Sequence, residues 1–202
     1  MTKIIGITGG IGSGKTTLSN FLKKKGCPVH ESDDVVKKMY NNPSKEFLDF
    51  VKRNVSSEAV RSKTLNKKII TKIIFNNKGI KKKLERFIHN EVRLSREAFK
   101  KKNLKPKNKA LFFDVPLLFE NKLEKNFDII LCVLSSKKNR TKRVIKKNKF
   151  SKETLNKIYK AQTTDKTRRA KSNIIITNNK TKKSFIFNVK KVLIEILKWE
   201  RL

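Results

Sequence analysis

GITGGIGSGKTT, Gly6 to Thr17, follows the apolar run KIIGIT and leads into a segment with Leu18, Phe21 and Leu22 at helical spacing. Gly9 to Thr16 fits G-x-x-x-x-G-K-S/T without a mismatch. Glycines let the backbone curl with its N–H groups turned inward and leave room for phosphate oxygens. A helix starting near Lys15 adds the positive end of its dipole. Gly10, Ile11, Gly12, Ser13 and Gly14 are therefore expected to wrap the phosphates of a nucleotide. Lys15 is expected to reach the β- and γ-phosphates and Thr16 to ligate Mg²⁺, while Thr17 caps a helix N–H or touches the α-phosphate. A strand ending at the first glycine and a helix opening at the lysine favour a nucleotide site over a mere glycine-rich turn. The loop alone names no acceptor, because motors, GTPases and small-molecule kinases all carry one. NNKG at 76–79 lacks the acid of a guanine-reading N-K-x-D, and 202 residues is short for a motor or helicase.

Outward from the loop, short apolar runs alternate with helical periods. KIIGIT (3–8), CPVHES (27–32), ALFFDVP (110–116), FDIILCVL (127–134) and SNIIITNN (172–179) read as five strands. Runs this short with few charges suit a parallel sheet covered on both faces. Helices are expected over 16–25, from Asp34 to Tyr40, over 136–147 and over 151–162, the last capped by Ser151. A closing amphipathic helix carries Phe185, Val189, Val192, Leu193 and Ile196. Residues 44–102 show helical periods and almost no strand signal; Ile80, Leu84, Phe87, Ile88, Val92 and Phe99 mark one face of a long helix. The expected class is α/β in three layers. The core spans 1–34 and 106–202, a helical lobe is inserted at 35–105, and a lid covers 138–170. Such a lobe would face the carboxyl ends of the strands, where a second substrate binds.

Composition limits the partners. Lys and Arg total 52 against 17 Asp and Glu, a formal charge of +35. The lysines are scattered, rise together with Asn, and form no basic block interleaved with aromatics for stacking bases. Compositional bias therefore accounts for them better than a nucleic-acid interface does, although the charge attracts small polyanions. Cys27 and Cys132, the only cysteines, sit in apolar segments and read as small buried hydrophobes, not a disulfide or a metal pair. No apolar run spans a membrane and the N-terminus lacks a signal-peptide pattern, so a cytoplasmic protein, monomeric or a small homo-oligomer, is expected.

Five positions invite chemistry, and each has a plainer alternative. Asp33 in VHESDD would point past a strand end at the γ-phosphate, or cap the following helix; both readings hold if Asp34 or Ser32 caps while Asp33 does the chemistry. Asp114 ends the strand ALFFD and would support Mg²⁺ beside the loop, or simply cap the strand end. Glu120 in PLLFE faces an acceptor or closes a surface helix. Arg140 and Arg143, three apart on one helix face, close over nucleotide phosphates as a lid or lie solvated.

Beyond these single residues, the chain resembles the dephospho-CoA kinase family of P-loop kinases along almost its whole length. IIGITGGIGSGKTT is similar to the family's opening, GCPVHESD to its G-x-x-V-x-D-x-D, and FIHNEV to its His-Pro-x-Val/Ile stretch. RTKR at 140–143, Gln162 and SNIIITNN resemble its lid and closing strand, and DVPLLFE (114–120) makes the match specific. The resemblance implies transfer of the ATP γ-phosphoryl to the ribose 3′-hydroxyl of dephospho-CoA, the last step of coenzyme A biosynthesis, with Mg²⁺. It implies Asp33 as the catalytic acid–base group, assisted by Lys15 and Arg140, with Arg143 on the nucleotide. It places His89, Glu120, Lys67 and Leu118 on the acceptor side. Glu31 replaces the family's first Asp, Asn66 and Lys67 replace Asp-Arg, and Asn90 replaces the proline after His89. A kinase of another small molecule is the alternative; a nucleic-acid-binding ATPase fits less well.

Overall fold

The structure, a computed structural model, describes residues 1–147 and 150–197. Residues 148–149 of the expected lid and 198–202 of the expected core lie outside the described residues. The chain divides into two compact units, one of Met1–His30 with the segment from Lys102 onward, the other of Glu31–Lys101. The boundaries expected from sequence lie slightly later, at 34/35 and 105/106.

The first unit opens with β1 (Lys3–Thr8), α1 (Lys15–Lys24) and β2 (Val29–Glu31). The second holds α2 (Ser32–Asn41), α3 (Lys45–Asn54), the short strands β3 (Val60–Arg61) and β4 (Thr64–Leu65), α4 (Lys67–Asn76) and the long α5 (Lys78–Asn103). The chain then returns through β5 (Ala110–Asp114), β6 (Ile129–Leu134), α6 (Lys137–Lys146), α7 (Lys152–Ala161), α8 (Asp165–Lys171), β7 (Ile174–Thr177) and α9 (Lys182–Leu197).

Five strands form one sheet in the order β2-β5-β1-β6-β7. The registers Lys3↔Ala110, Ile5↔Ile129 and Leu131↔Ile174 are parallel. All five residues of β5 are buried, and five of the six in β1 and in β6, as strands covered on both faces require. Ile5, Ile7, Phe112, Leu131 and Val133 pack against Leu18 and Leu22 of α1 and against Phe185, Val189 and Leu193 of α9. Each such fully buried side chain contributes roughly 1.5–3 kcal/mol of transfer free energy. Gly26, at φ +73°, ends the turn after α1 in a conformation that favours glycine.

The second unit has its own core of Phe47, Val51, Ala59, Ile70 and Leu84. Phe87 stacks on Phe47 and Phe50 at 5.3 and 4.4 Å between ring centroids, and Tyr40 meets Phe47 edge-on at 5.4 Å. Three local features depart from the sequence expectation. The antiparallel pair β3–β4 turns through Ser62 at φ +51°; its turn Ser-Lys carries neither Gly nor Asn, the usual marks of a two-residue hairpin. Helix α2 begins at Ser32, not Asp34, with Glu31 at the N-cap making no side-chain cap bond, so Asp33 lies inside the first turn. Helix α8, capped by Thr164 accepting from Thr167 N–H, occupies a stretch without an apolar period. Ser151 caps α7 as expected, accepting from Thr154 N–H. Among the described residues no helix is long and apolar enough to cross a membrane.

Both cysteines are buried and free. Burial pushes each thiol up to about 11, so at neutral pH both stay protonated and shielded. Thiol titration with an aromatic disulfide reagent at pH 7.5 is expected to find no fast-reacting group in native protein and two after denaturation in guanidinium. A rapid native reaction would show one of these packing environments to be wrong.

Candidate active site

Strand β1 sits at the centre of the sheet, and the glycine loop leaves its carboxyl end. Gly12 and Gly14 take φ of +74° and +115°, where a side chain is strained. Gly14 is also the N-cap of α1 and offers no side-chain cap, so the helix opens with its first N–H groups turned toward the loop. Ser13 N–H donates to Gly10 C=O at 3.1 Å, closing the loop on itself. The Lys15 ammonium donates to Gly9 C=O at 2.8 Å, so the cation lies back across the curl that its own backbone helps to form. Thr16 is exposed and Thr17 half-buried at the mouth of α1.

Asp114 ends β5 opposite Ile7 of β1, beside the start of the loop, and is 8% exposed. Its Oδ2 accepts from the buried Ser19 Oγ at 3.0 Å, one helical turn beyond Lys15. Sequence reasoning passed over Ser19; a lone serine on the apolar face of a helix is its only signal. Among the described residues no cluster of three or more His, Cys, Asp or Glu encloses a metal. An ion beside this loop would draw on few protein oxygens, the Thr16 hydroxyl and the Asp114 carboxylate, and complete its shell with phosphate and water. That donor set fits Mg²⁺.

The two arginines of α6 are both engaged by protein. Arg140, 7% exposed, pairs with Asp165 Oδ2 at 2.9 Å and lies 5.2 Å over the ring of Tyr159. Its guanidinium occupies the space a Cβ on Gly10 would need. Arg143 reaches Gly12 C=O at 3.3 Å, Ser13 C=O at 3.4 Å, Ser135 Oγ at 3.1 Å and Asn178 C=O at 2.8 Å. Arg168, 2% exposed, joins Asp165 Oδ1 at 3.1 Å and Glu120 Oε1 at 3.4 Å. Arg140, Tyr159, Gln162, Asp165 and Arg168 help to line a cavity of about 180 Å³, and Gln162 Oε1 accepts from Ile11 N–H of the loop at 3.1 Å. Of these, Asp165 and Arg168 show a legible signal, opposite charges three apart on one helix; neither was singled out from sequence.

Two acceptor-side expectations take other places. Glu120 Oε1 accepts from Thr163 N–H at 2.7 Å as well as from Arg168, tying the loop after β5 to the segment that leads into α8. Leu118 is fully buried, and its Cδ1 lies 2.9 Å from where a Cβ on Gly6 would stand. With no exposed surface, Leu118 packs in the core beneath β1, while its neighbour Leu117 is 42% exposed.

In the second unit, Asp33 is exposed in the first turn of α2, where the helix dipole favours a carboxylate. Neither Ser32 nor Asp34 caps that helix, and Asp34 pairs with Lys37 at 2.7 Å instead. Lys67 opens α4, donates to Asn41 Oδ1 at 2.6 Å and lies 5.9 Å over the Tyr40 ring. It lies on the exposed surface of α4 with Lys68, Lys72 and Phe75, the last 84% exposed. His89 is exposed midway along α5.

A central strand that feeds a glycine loop into a helix, with a buried acid on the adjacent strand and arginines behind the loop, defines a P-loop kinase. The particular family follows from comparison with known proteins. The dephospho-CoA kinase family model matches residues 3–184, and the chain belongs to that family, whose members are ATP-dependent kinases. The dephospho-CoA kinase of Fusobacterium nucleatum is 34% identical over 178 residues, 87% of this chain and 89% of its own. A Thermus thermophilus protein of known structure superposes with a TM-score of 0.78 at 29% identity, over 96% of this chain and 97% of the other. The dephospho-CoA kinase from Campylobacter jejuni does so with a TM-score of 0.72 at 26% identity, over 98% of both chains.

Placing Leu118 in the core makes a measurable prediction. Leu118→Ala is expected to lower unfolding free energy by about 2–5 kcal/mol, while the KM values of both substrates stay within twofold or so. A raised acceptor KM at unchanged melting temperature would return Leu118 to the substrate side.

Proposed function

We propose that this chain phosphorylates the ribose 3′-hydroxyl of dephospho-CoA at the expense of ATP, with the following division of roles. One observation carries the reading: the intact loop opens α1 at the centre of the sheet, in a chain matched to the family from residue 3 to 184. The backbone N–H groups of the loop at Gly12, Gly14 and Thr16 and the Lys15 ammonium hold the β- and γ-phosphates, while the N–H groups of Ile11, Ser13 and Thr17 serve the fold. Thr16 and Asp114 hold Mg²⁺, and Ser19 fixes the rotamer of Asp114 through its 3.0 Å bond. When bound, Mg²⁺ neutralises charge on the phosphate oxygens.

Asp33 orients the 3′-hydroxyl and takes its proton. The hydroxyl oxygen forms a bond to the γ-phosphorus as the bond to the β–γ bridging oxygen breaks, and ADP leaves with that electron pair. Arg140, held by Asp165 against the loop, supplies positive charge next to Gly10. Lys67, Lys68 and Lys72 offer cations for the diphosphate of the acceptor, and His89 serves the acceptor side. We assign Glu120 to holding the lid segment through Thr163 and Arg168, not to the acceptor. The protein makes no covalent intermediate; positioning and charge set the rate.

With ATP and Mg²⁺, ADP formation is expected with dephospho-CoA and not with a panel of nucleosides and nucleoside monophosphates. An inert dephospho-CoA beside a turned-over nucleotide would replace the acceptor in this reading. Asp33→Asn is expected to keep the Kd for ATP and lower kcat by about 10²–10⁴-fold. Near-normal turnover would remove Asp33 from the proton transfer.

A further inference from the structure

The loop has a second requirement besides its inward N–H groups. Turning those groups inward turns carbonyls outward, and a carbonyl removed from water needs a donor. Gly12 C=O and Ser13 C=O are two of these outward groups. The Nδ2 of Asn178, a 7% exposed residue just past β7, donates to Ser13 C=O at 2.7 Å. Arg143 Nη1 spans Gly12 C=O, Ser13 C=O and Ser135 Oγ at 3.3, 3.4 and 3.1 Å. Its Nη2 donates to the backbone C=O of Asn178 at 2.8 Å and to Asn178 Oδ1 at 3.3 Å.

We propose that Arg143 and Asn178 act as one positioning unit that clamps the outward carbonyls of the phosphate loop. The fork of Arg143 carries four N–H bonds on Nη1 and Nη2, and five protein acceptors surround them. It therefore orders the loop; it does not close over ATP as a mobile finger. Asn178 is held on its own account: its N–H donates to Leu134 C=O at 2.7 Å, and Ser135 Oγ donates to its C=O at 2.8 Å. The ends of β6 and β7 thus form a fixed bracket behind the loop. Its amide also occupies the space a Cβ on Gly14 would take, so glycine at that position serves the bracket as well as the positive φ.

The inference takes the loop as the ATP site, as argued above, and its test reads ATP binding rather than turnover. The Kd for ATP is measured for Arg143→Ala, Asn178→Ala, the double variant and Arg143→Lys, with the Kd for dephospho-CoA as the control for folding. Each alanine variant is expected to weaken ATP about tenfold, equivalent to about 1.4 kcal/mol. The double variant is expected to be no weaker than the worse single, since both remove one unit. Arg143→Lys keeps the charge but loses the fork, and is expected to fall about as far as Arg143→Ala. Wild-type affinity in Arg143→Lys or Asn178→Ala, or losses that multiply in the double variant, would overturn the clamp and leave Arg143 as a phosphate contact. Should an alanine variant fail to fold, Arg143→Lys decides alone. An inert dephospho-CoA with ATP binding intact would instead sink the acceptor assignment and leave the clamp standing.

Discussion

The inversion of the phosphate loop is the constraint around which the first unit is organised. A backbone that curls to direct several N–H groups at one anion also exposes carbonyls on its outer side, and both faces have to be satisfied. The inner face is completed by ligand and by Lys15. The outer face is completed by a bracket drawn from β6, α6 and β7, elements more than a hundred residues later in the chain. Positive φ at Gly12 and Gly14 makes the curl sterically possible; Arg143, Asn178 and Ser135 give it a single shape. A loop in one shape presents its N–H groups without reorganisation when the charged ligand arrives.

Much of this was legible in the sequence. Five short apolar runs gave the strands, the phosphate loop joined the first of them to its helix, and a terminal Asp on ALFFD predicted a carboxylate beside that loop. What stayed illegible depends on partners far away in the chain. Nothing in RTKR distinguishes Arg140, held by Asp165, from Arg143, held by the loop; the sequence shows two arginines on one face, and tertiary contacts decide which acceptors they meet. Asn178 looks like an ordinary polar residue closing a strand. Leu118 lies within a family motif, and a motif does not say which of its residues face inward. The hairpin Val60–Leu65 escaped because its turn lacks the residues that announce one. The start of α2 was misplaced because Glu31 supplies no capping bond.

The charge of the chain is arranged in two ways. Most of the described lysines lie exposed, where single ion pairs such as Lys37–Asp34 contribute little. Among the described residues the buried cations are guanidiniums, Arg140 and Arg168, and they share Asp165 between them while Glu120 takes the second end of Arg168. Arginine suits this position because its planar fork reaches two carboxylates at once and stays charged when desolvated. In a protein with a formal charge of +35, two of the 17 acids, Asp165 and Glu120, compensate these two arginines.

The insertion of the second unit between β2 and β5 bears on how the chain reaches its native state. The pairing of β1 with β5 joins Lys3 to Ala110 and closes a loop of over a hundred residues. The entropy of such a closure grows only with the logarithm of loop length. A segment condensed on Phe47, Val51, Ile70 and Leu84 has fewer free residues to constrain than its length suggests. Contacts within the second unit that touch neither nucleotide nor sheet therefore lower the entropic barrier to assembling the strand pair on which the phosphate loop hangs.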